Sequence, residues 1–90
     1  MTSRTLTIVN QRGLHARASA KFVGAVAELG PATRVEVAKA GNSVAGDSIL
    51  DLMMLGAAKG DTITIRVEGE RADAVLAELS AMVEDGFGET

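Results

Sequence analysis

Thr5-Leu6-Thr7-Ile8-Val9-Asn10-Gln11-Arg12-Gly13-Leu14-His15-Ala16-Arg17 begins with apolar and polar residues in alternation and then changes period. Leu6 and Ile8 fall on one face of a half-buried strand, and Asn10-Gln11-Arg12-Gly13 reads as the turn that follows. From Ala16 onward, Phe22, Val23, Val26 and Ala27 recur at helical spacing, and Gly30-Pro31 closes the segment as a C-cap glycine followed by proline. The first unit is therefore a strand leading into a helix over residues 16–28.

Val35 and Val37 alternate with Arg34 and Glu36 as a second strand, and the turn Ala40-Gly41-Asn42 leads to a short third strand over Ser43 to Ala45. Asp47-Ser48 opens a short helix running through Met54 and ended by Gly56. Thr62 to Val67 is the clearest strand, with Ile63, Ile65 and Val67 on one face. A last helix over residues 70–85 carries Val75, Leu76, Leu79, Met82 and Val83 in an apolar stripe, with Gly86 as its stop. The order is β-α-β-β-α-β-α. Three striped helices and four one-faced strands share a core if every helix covers the same side of an antiparallel sheet, giving a two-layer α/β sandwich. Thr5, Thr7, Thr62 and Thr64 then face water on the other side.

Ninety residues make one domain, 1–90, because a second core would need roughly another hundred. With no Cys and one His, the chain supplies no Cys/His metal cluster, disulfide framework or thiol nucleophile, and neither metal nor cofactor is expected. No charged-then-apolar leader opens it and no apolar run approaches the roughly 20 residues of a membrane span, so the expected location is the cytoplasm, with no membrane insertion. Phe22 and Phe87 are the only aromatics, so the core rests on aliphatic side chains. A domain this small favours a surface site over a deep cleft.

Charge is unevenly placed. Residues 1–27 hold Arg4, Arg12, Arg17 and Lys21 with no acid, for +4, whereas residues 28–90 carry −7. The only histidine, His15, lies between Arg12 and Arg17. That asymmetry suits an anion site or an acidic partner; a net-acidic chain with threonines where stacking aromatics would be needed is not expected to bind nucleic acid.

The spacing puts His15 at the N-cap of the first helix or immediately beside it, where unpaired N–H groups and the helix dipole favour an anion. The same field, with Arg12 and Arg17, disfavours an imidazolium, so His15 is expected to be neutral at pH 7 with its pKa lowered. A neutral, exposed imidazole is a nucleophile, and a phosphoryl group formed on it would sit among amide donors and a guanidinium. A histidine after a strand is, on its own, more often a turn residue. Helix N-caps, however, prefer Ser, Thr, Asp or Asn, and no acid lies nearby in the sequence to pair with this one. These residues equally allow a regulatory module that binds an anionic metabolite without covalent chemistry.

Gly13-Leu14-His15-Ala16-Arg17 resembles the phosphohistidine motif of the HPr family, the phosphocarriers of the bacterial phosphotransferase system, and the similarity extends over essentially the whole chain. The resemblance implies an open-faced β-sandwich of the order above, with a four-stranded antiparallel sheet under three helices. It implies that His15 is phosphorylated through Nδ1 by enzyme I, itself charged by phosphoenolpyruvate, and passes the phosphoryl group to an enzyme IIA. Arg17 becomes the phosphate-stabilising residue, and the chain a monomeric carrier, not an enzyme. Many members have proline after the motif arginine where this chain has Ala18, which loosens the helix start without touching the chemistry. Leu52 to Gly60 and the ending Asp85-Gly86-Phe87-Gly88 look like the nitrogen-related branch.

Ser48-Ile49-Leu50-Asp51 fits the capping-box pattern, which is sufficient reason for a serine there. By the resemblance, Ser48 also aligns with the serine modified by HPr kinase/phosphorylase, although Asp51 replaces the usual small residue three positions on. Ile49, Leu50, Leu52, Met53, Met54 and Leu55 cannot all point inward from two turns of helix. Core packing accounts for Leu52 and Leu55; the resemblance makes Ile49, Leu50 and Met53 the apolar surface that docks on partners. Gly86 to Thr90 carries no readable signal beyond that of a frayed tail.

Overall fold

The strand with the most complete alternation takes one of the two interior positions of the sheet. In a computed structural model, which describes residues 2–89, the elements are β1 (Thr2–Thr7), α1 (Ala16–Ala27), β2 (Arg34–Lys39), β3 (Asn42–Ala45), α2 (Ile49–Met54), β4 (Thr62–Glu68) and α3 (Ala72–Glu84), followed by a 3-10 turn at Gly86–Gly88. The sheet order is β1-β4-β2-β3, and every pairing is antiparallel. Cross-strand partners share a face, so Leu6 opposite Ile63, Val37 opposite Ile65 and Val35 opposite Val67 build one buried surface. On the other face Thr5 and Thr64 are partners, with their hydroxyls 2.9 Å apart.

The three helices cover the buried face. Phe22 and Ala18 of α1, Leu52 of α2, and Val75, Leu76, Leu79 and Val83 of α3 join the strand residues in one hydrophobic core. α1 lies against α2 and α3, and α3 spans β1 and β4. The four-stranded antiparallel sheet under three helices is thus the architecture expected from the sequence.

Element ends differ from the sequence reading for local reasons. The ladder of β1 starts at Thr2 because backbone pairing with β4 continues past the apolar alternation; it stops at Thr7, where Ile8 turns to donate to the Asp61 carbonyl at 2.8 Å and accept from Gly60 at 2.9 Å. α1 ends one residue early, at Ala27. α3 starts at Ala72 and not at residue 70, because Arg71 at its N-cap is left-handed (φ 61°) and makes no side-chain cap. Of the tail expected to fray, Thr90 lies outside the described residues, but residues 86–89 are ordered against the core: Gly86 and Phe87 adopt φ of 64° and 58°, and this turn drives the Phe87 ring inward at 2% exposure. Burial of a large aromatic outweighs the cost of a left-handed conformation at one residue.

Candidate functional site

The approach to His15 is fixed by backbone bonds from two directions. Gly13 donates to the Asn10 carbonyl at 3.2 Å, the buried Asn10 side chain returns an N–H to the Gly13 carbonyl at 2.8 Å, and Leu14 donates to the Ala57 carbonyl at 3.0 Å. Gly13 lies at φ 61°, and its α-carbon passes so close to the Ala57–Ala58 backbone that a side chain would not fit. Leu14 is buried and the Ser19 hydroxyl donates to its carbonyl at 3.1 Å, so the residue that follows is placed as the N-cap of α1. His15 has extended backbone angles, its carbonyl accepts from Ser19 at 2.9 Å, and its Nδ1 accepts the Arg17 backbone N–H at 3.3 Å. The imidazole therefore performs the capping that Ser or Asp usually performs, with Nδ1 turned toward the unpaired amides of the first helical turn.

Nε2 points the other way, onto the Glu89 carboxylate, which also accepts from the Asn10 side chain at 3.1 Å. Phe87 anchors this tail from below and Lys21 Nζ donates to the Phe87 carbonyl at 2.7 Å. The His15 and Glu89 side chains keep 20% and 24% of their surface exposed. The Asn10 N–H, the His15 ring and the positive charge of Arg17 hold the Glu89 carboxyl below the usual carboxylate range. An open hollow of about 660 Å³ results, lined by Arg12, His15, Arg17, Lys21, Phe87 and Glu89. Among the described residues its walls offer three cations, one imidazole and one carboxylate. A smaller hollow of about 470 Å³ between the end of α1 and β2–β3 contains no histidine.

Two sequence expectations change here. His15 is not without an acidic partner, because Glu89, 74 residues away, supplies one. The charge reading at His15 counted only Arg12 and Arg17, and Glu89 adds the opposing charge. Asn10, Lys21, Phe87 and Glu89 were all missed as site residues. Phe87 had a signal, since one of only two aromatics flanked by glycines is poorly suited to a solvated tail. For Glu89 there was none, because pairing across the chain follows from the turn at 86–88.

Ser48 caps α2, its hydroxyl accepting the Asp51 N–H at 3.2 Å, which is the serine's half of the capping-box pattern. Leu52 is fully buried and Leu55 packs partly against the core. Ile49, Leu50 and Met53 are 40%, 67% and 41% exposed, and Met54, which the sequence reading had not assigned to the surface patch, is 74% exposed. α2 lies against α1, so this apolar surface shares a side of the molecule with the helix that His15 caps. Among the described residues no helix is long and apolar enough to cross a membrane.

Comparison with known proteins adds the context. The family described as "PTS HPr component phosphorylation site" matches residues 2–85. The phosphocarrier protein HPr of Pseudomonas aeruginosa is 43% identical over 90 residues, spanning 99% of this chain and 98% of that protein. The phosphocarrier protein NPr of Shewanella violacea is 35% identical over 86 residues, spanning 96% and 92%. Among solved structures, an HPr from Thermoanaerobacter tengcongensis superposes with a TM-score of 0.91 at 31% identity, covering 100% of this chain and 99% of that one.

Proposed function

The chain belongs to the HPr family, the phosphocarrier proteins of the phosphotransferase system, and from that premise we propose that His15 is the residue that carries the phosphoryl group, bound through Nδ1. One observation carries this assignment. His15 is the N-cap of α1 and its Nδ1 lies 3.3 Å from the Arg17 amide, so a group added to Nδ1 arrives among the amides at the positive end of the helix. In accepting, the Nδ1 lone pair forms the new P–N bond while the bond from phosphorus to the donor on enzyme I breaks and its electrons leave with the donor. The Arg17 amide gives up its contact with Nδ1 and turns to a phosphoryl oxygen. The Arg17 guanidinium, which lines the same hollow, supplies charge. Passing the group to an enzyme IIA is the same step in reverse.

Ile49, Leu50 and Met53, extended by Met54, serve as the apolar docking surface for both partners; methionine suits a surface that must fit more than one. Ser48, at the edge of that surface, is the regulatory position that an HPr kinase/phosphorylase would modify. A phosphate there gains from the start of α2 and is opposed by Asp47 and Asp51. Likeness to an NPr and the Asp85-to-Gly88 ending support a place in a nitrogen-related phosphorelay of the cytoplasm.

The test is incubation of the purified protein with phosphoenolpyruvate and a nitrogen-type or sugar-type enzyme I, with His15→Ala as control. The expected product is an acid-labile, base-stable adduct on the native protein and none on the variant. If a folded preparation stays unmodified with both enzymes, the carrier assignment fails and non-covalent binding of an anionic metabolite at the start of α1 becomes the better account.

A further inference from the structure

The tail that closes over His15 does more than fill space. Two side chains meet on the Glu89 carboxylate, Asn10 donating to one oxygen at 3.1 Å and His15 Nε2 facing the other, and the turn that delivers the residue is held by the buried Phe87 ring and by Lys21 on the Phe87 carbonyl. An ionised carboxylate only accepts hydrogen bonds, so the ring nitrogen facing it must carry a proton. On the other side, Nδ1 accepts from the Arg17 amide and must present its lone pair. In a neutral imidazole both demands are met by the Nε2–H tautomer alone, and each partner also fixes the plane of the ring. We propose that Glu89 is a positioning residue for phosphoryl transfer: through Nε2 it holds the tautomer that leaves Nδ1 nucleophilic, and it faces the positive charge that the ring acquires once Nδ1 is phosphorylated.

This inference rests on His15 being the carrier. The atoms balance without any further reactant. The Nδ1 lone pair forms the P–N bond, the electron pair of the breaking bond leaves with the donor on enzyme I, and Nε2 keeps its proton throughout. The ring then carries a positive charge, which the Glu89 carboxylate faces while the dianionic phosphoryl group lies on the opposite, helix side. Carboxylate and phosphoryl group are kept apart by the width of the imidazole. The arrangement follows the logic of a carboxylate that orients a histidine and stabilises its imidazolium without taking its proton. Of the charged groups lining the hollow among the described residues, Arg12, Arg17 and Lys21 oppose a cationic ring and Glu89 favours it. The ionised state required of Glu89 agrees with the fall of its pKa caused first by the Asn10 N–H and then by His15.

Two readouts test it on the full chain. The first is the tautomer of His15 in the unmodified protein, from the nitrogen chemical shifts of the ring above about pH 8, where a free imidazole is neutral. The second is kcat and KM for this protein as the substrate of enzyme I. Glu89→Ala removes the acceptor and the charge; Glu89→Gln keeps an acceptor and removes the charge; Glu84→Gln removes one charge from the exposed end of α3 as a control. The expected result is a fall in the Nε2–H population for Glu89→Ala alone, together with a drop in kcat of about fivefold for both Glu89 variants at unchanged KM. That is the upper end of what a partly exposed charge pair contributes. Glu84→Gln should match the native protein. Unchanged kcat in both Glu89 variants, or a rise in KM alone, overturns the proposal, the latter because the tail would then belong to the docking surface. If the native protein takes up no phosphoryl group, the carrier assignment has failed, and a tautomer that still depends on Glu89 shows that the ring-orienting contact survives that failure.

Discussion

Replacing Gly13 by alanine should damage this fold far more than replacing Gly30 by alanine, although both glycines are left-handed, at φ of 61° and 84°. Each substitution carries the conformational cost of an L-residue in that region, about 1–2 kcal/mol. Only Gly13 adds a collision. Its new Cβ would lie 2.2 Å from the Ala57 carbonyl oxygen and 2.8 Å from the Ala58 α-carbon, whereas at Gly30 nothing lies within 4 Å. Both obstructing atoms belong to backbone, so no side chain can swing aside and the segment must retreat by about 1 Å. The Ala57 carbonyl is also the acceptor for Leu14 N–H at 3.0 Å, and Leu14 and Ala57 are both in the core. Weakening that bond and repacking two buried residues adds about 2 kcal/mol. At 4–8 °C per kcal/mol for a domain of about this length, Gly13→Ala should melt about 8–16 °C below Gly30→Ala. The assay is thermal unfolding of the two variants by circular dichroism under identical conditions. Midpoints within about 4 °C of each other would refute the claim that close backbone contact, and not φ alone, fixes the turn leading to His15.

Two further outcomes follow from other parts of the molecule. Leu50→Glu should raise the KM of enzyme I for this protein about tenfold while leaving the melting temperature within a few degrees, since a side chain 67% exposed contributes little to the core; an unchanged KM removes Leu50 from the docking surface. The Asp61 carboxyl is lowered from 3.8, first by the Ala58 backbone N–H and then by Lys39, so its stabilising contribution is present above about pH 4 and is lost as pH falls through the folded-state value. Asp61→Asn should therefore unfold at lower urea than the native protein at pH 7, with the gap closing as the pH falls below about 4; a gap independent of pH would contradict the ionic role.

What could be read from the sequence divides along the range of the interactions involved. The strand faces, the order of elements and the N-cap positions of His15 and Ser48 depend on residues within a few positions of one another, where periodicity and capping rules apply, and the structure places them as read. The exact start of β1 depended on its pairing with β4, some sixty residues away, and apolar alternation could not report it. The carboxylate on His15 depended on three consecutive left-handed residues, Gly86, Phe87 and Gly88, that turn the chain back under α1. Composition hinted at this through a lone aromatic between glycines, but direction came only from packing. The charge asymmetry was legible and its resolution was not: an acid of the negative segment lies in the middle of the positive one.

That placement bears on how a carrier can be both loaded and unloaded. A phosphoryl group bound deeply among several guanidinium groups would be held too firmly to leave, and one exposed to water without partners would be poorly accepted. His15 lies between these limits. Its side chain is 20% exposed, and a helix terminus at the surface contributes only about 0.3–1 kcal/mol toward a nearby anion. Arg17 adds a charge that water screens, because its side chain is exposed. Glu89 opposes the anion from across the ring while favouring the cation on the ring itself, so its net effect on the bound group is smaller than its effect on the nucleophile. Under the carrier assignment, a shallow hollow with modest and partly compensating charges makes the direction of transfer depend on which partner is docked, and under the proposed docking role the apolar surface of α2 would be where that choice is made.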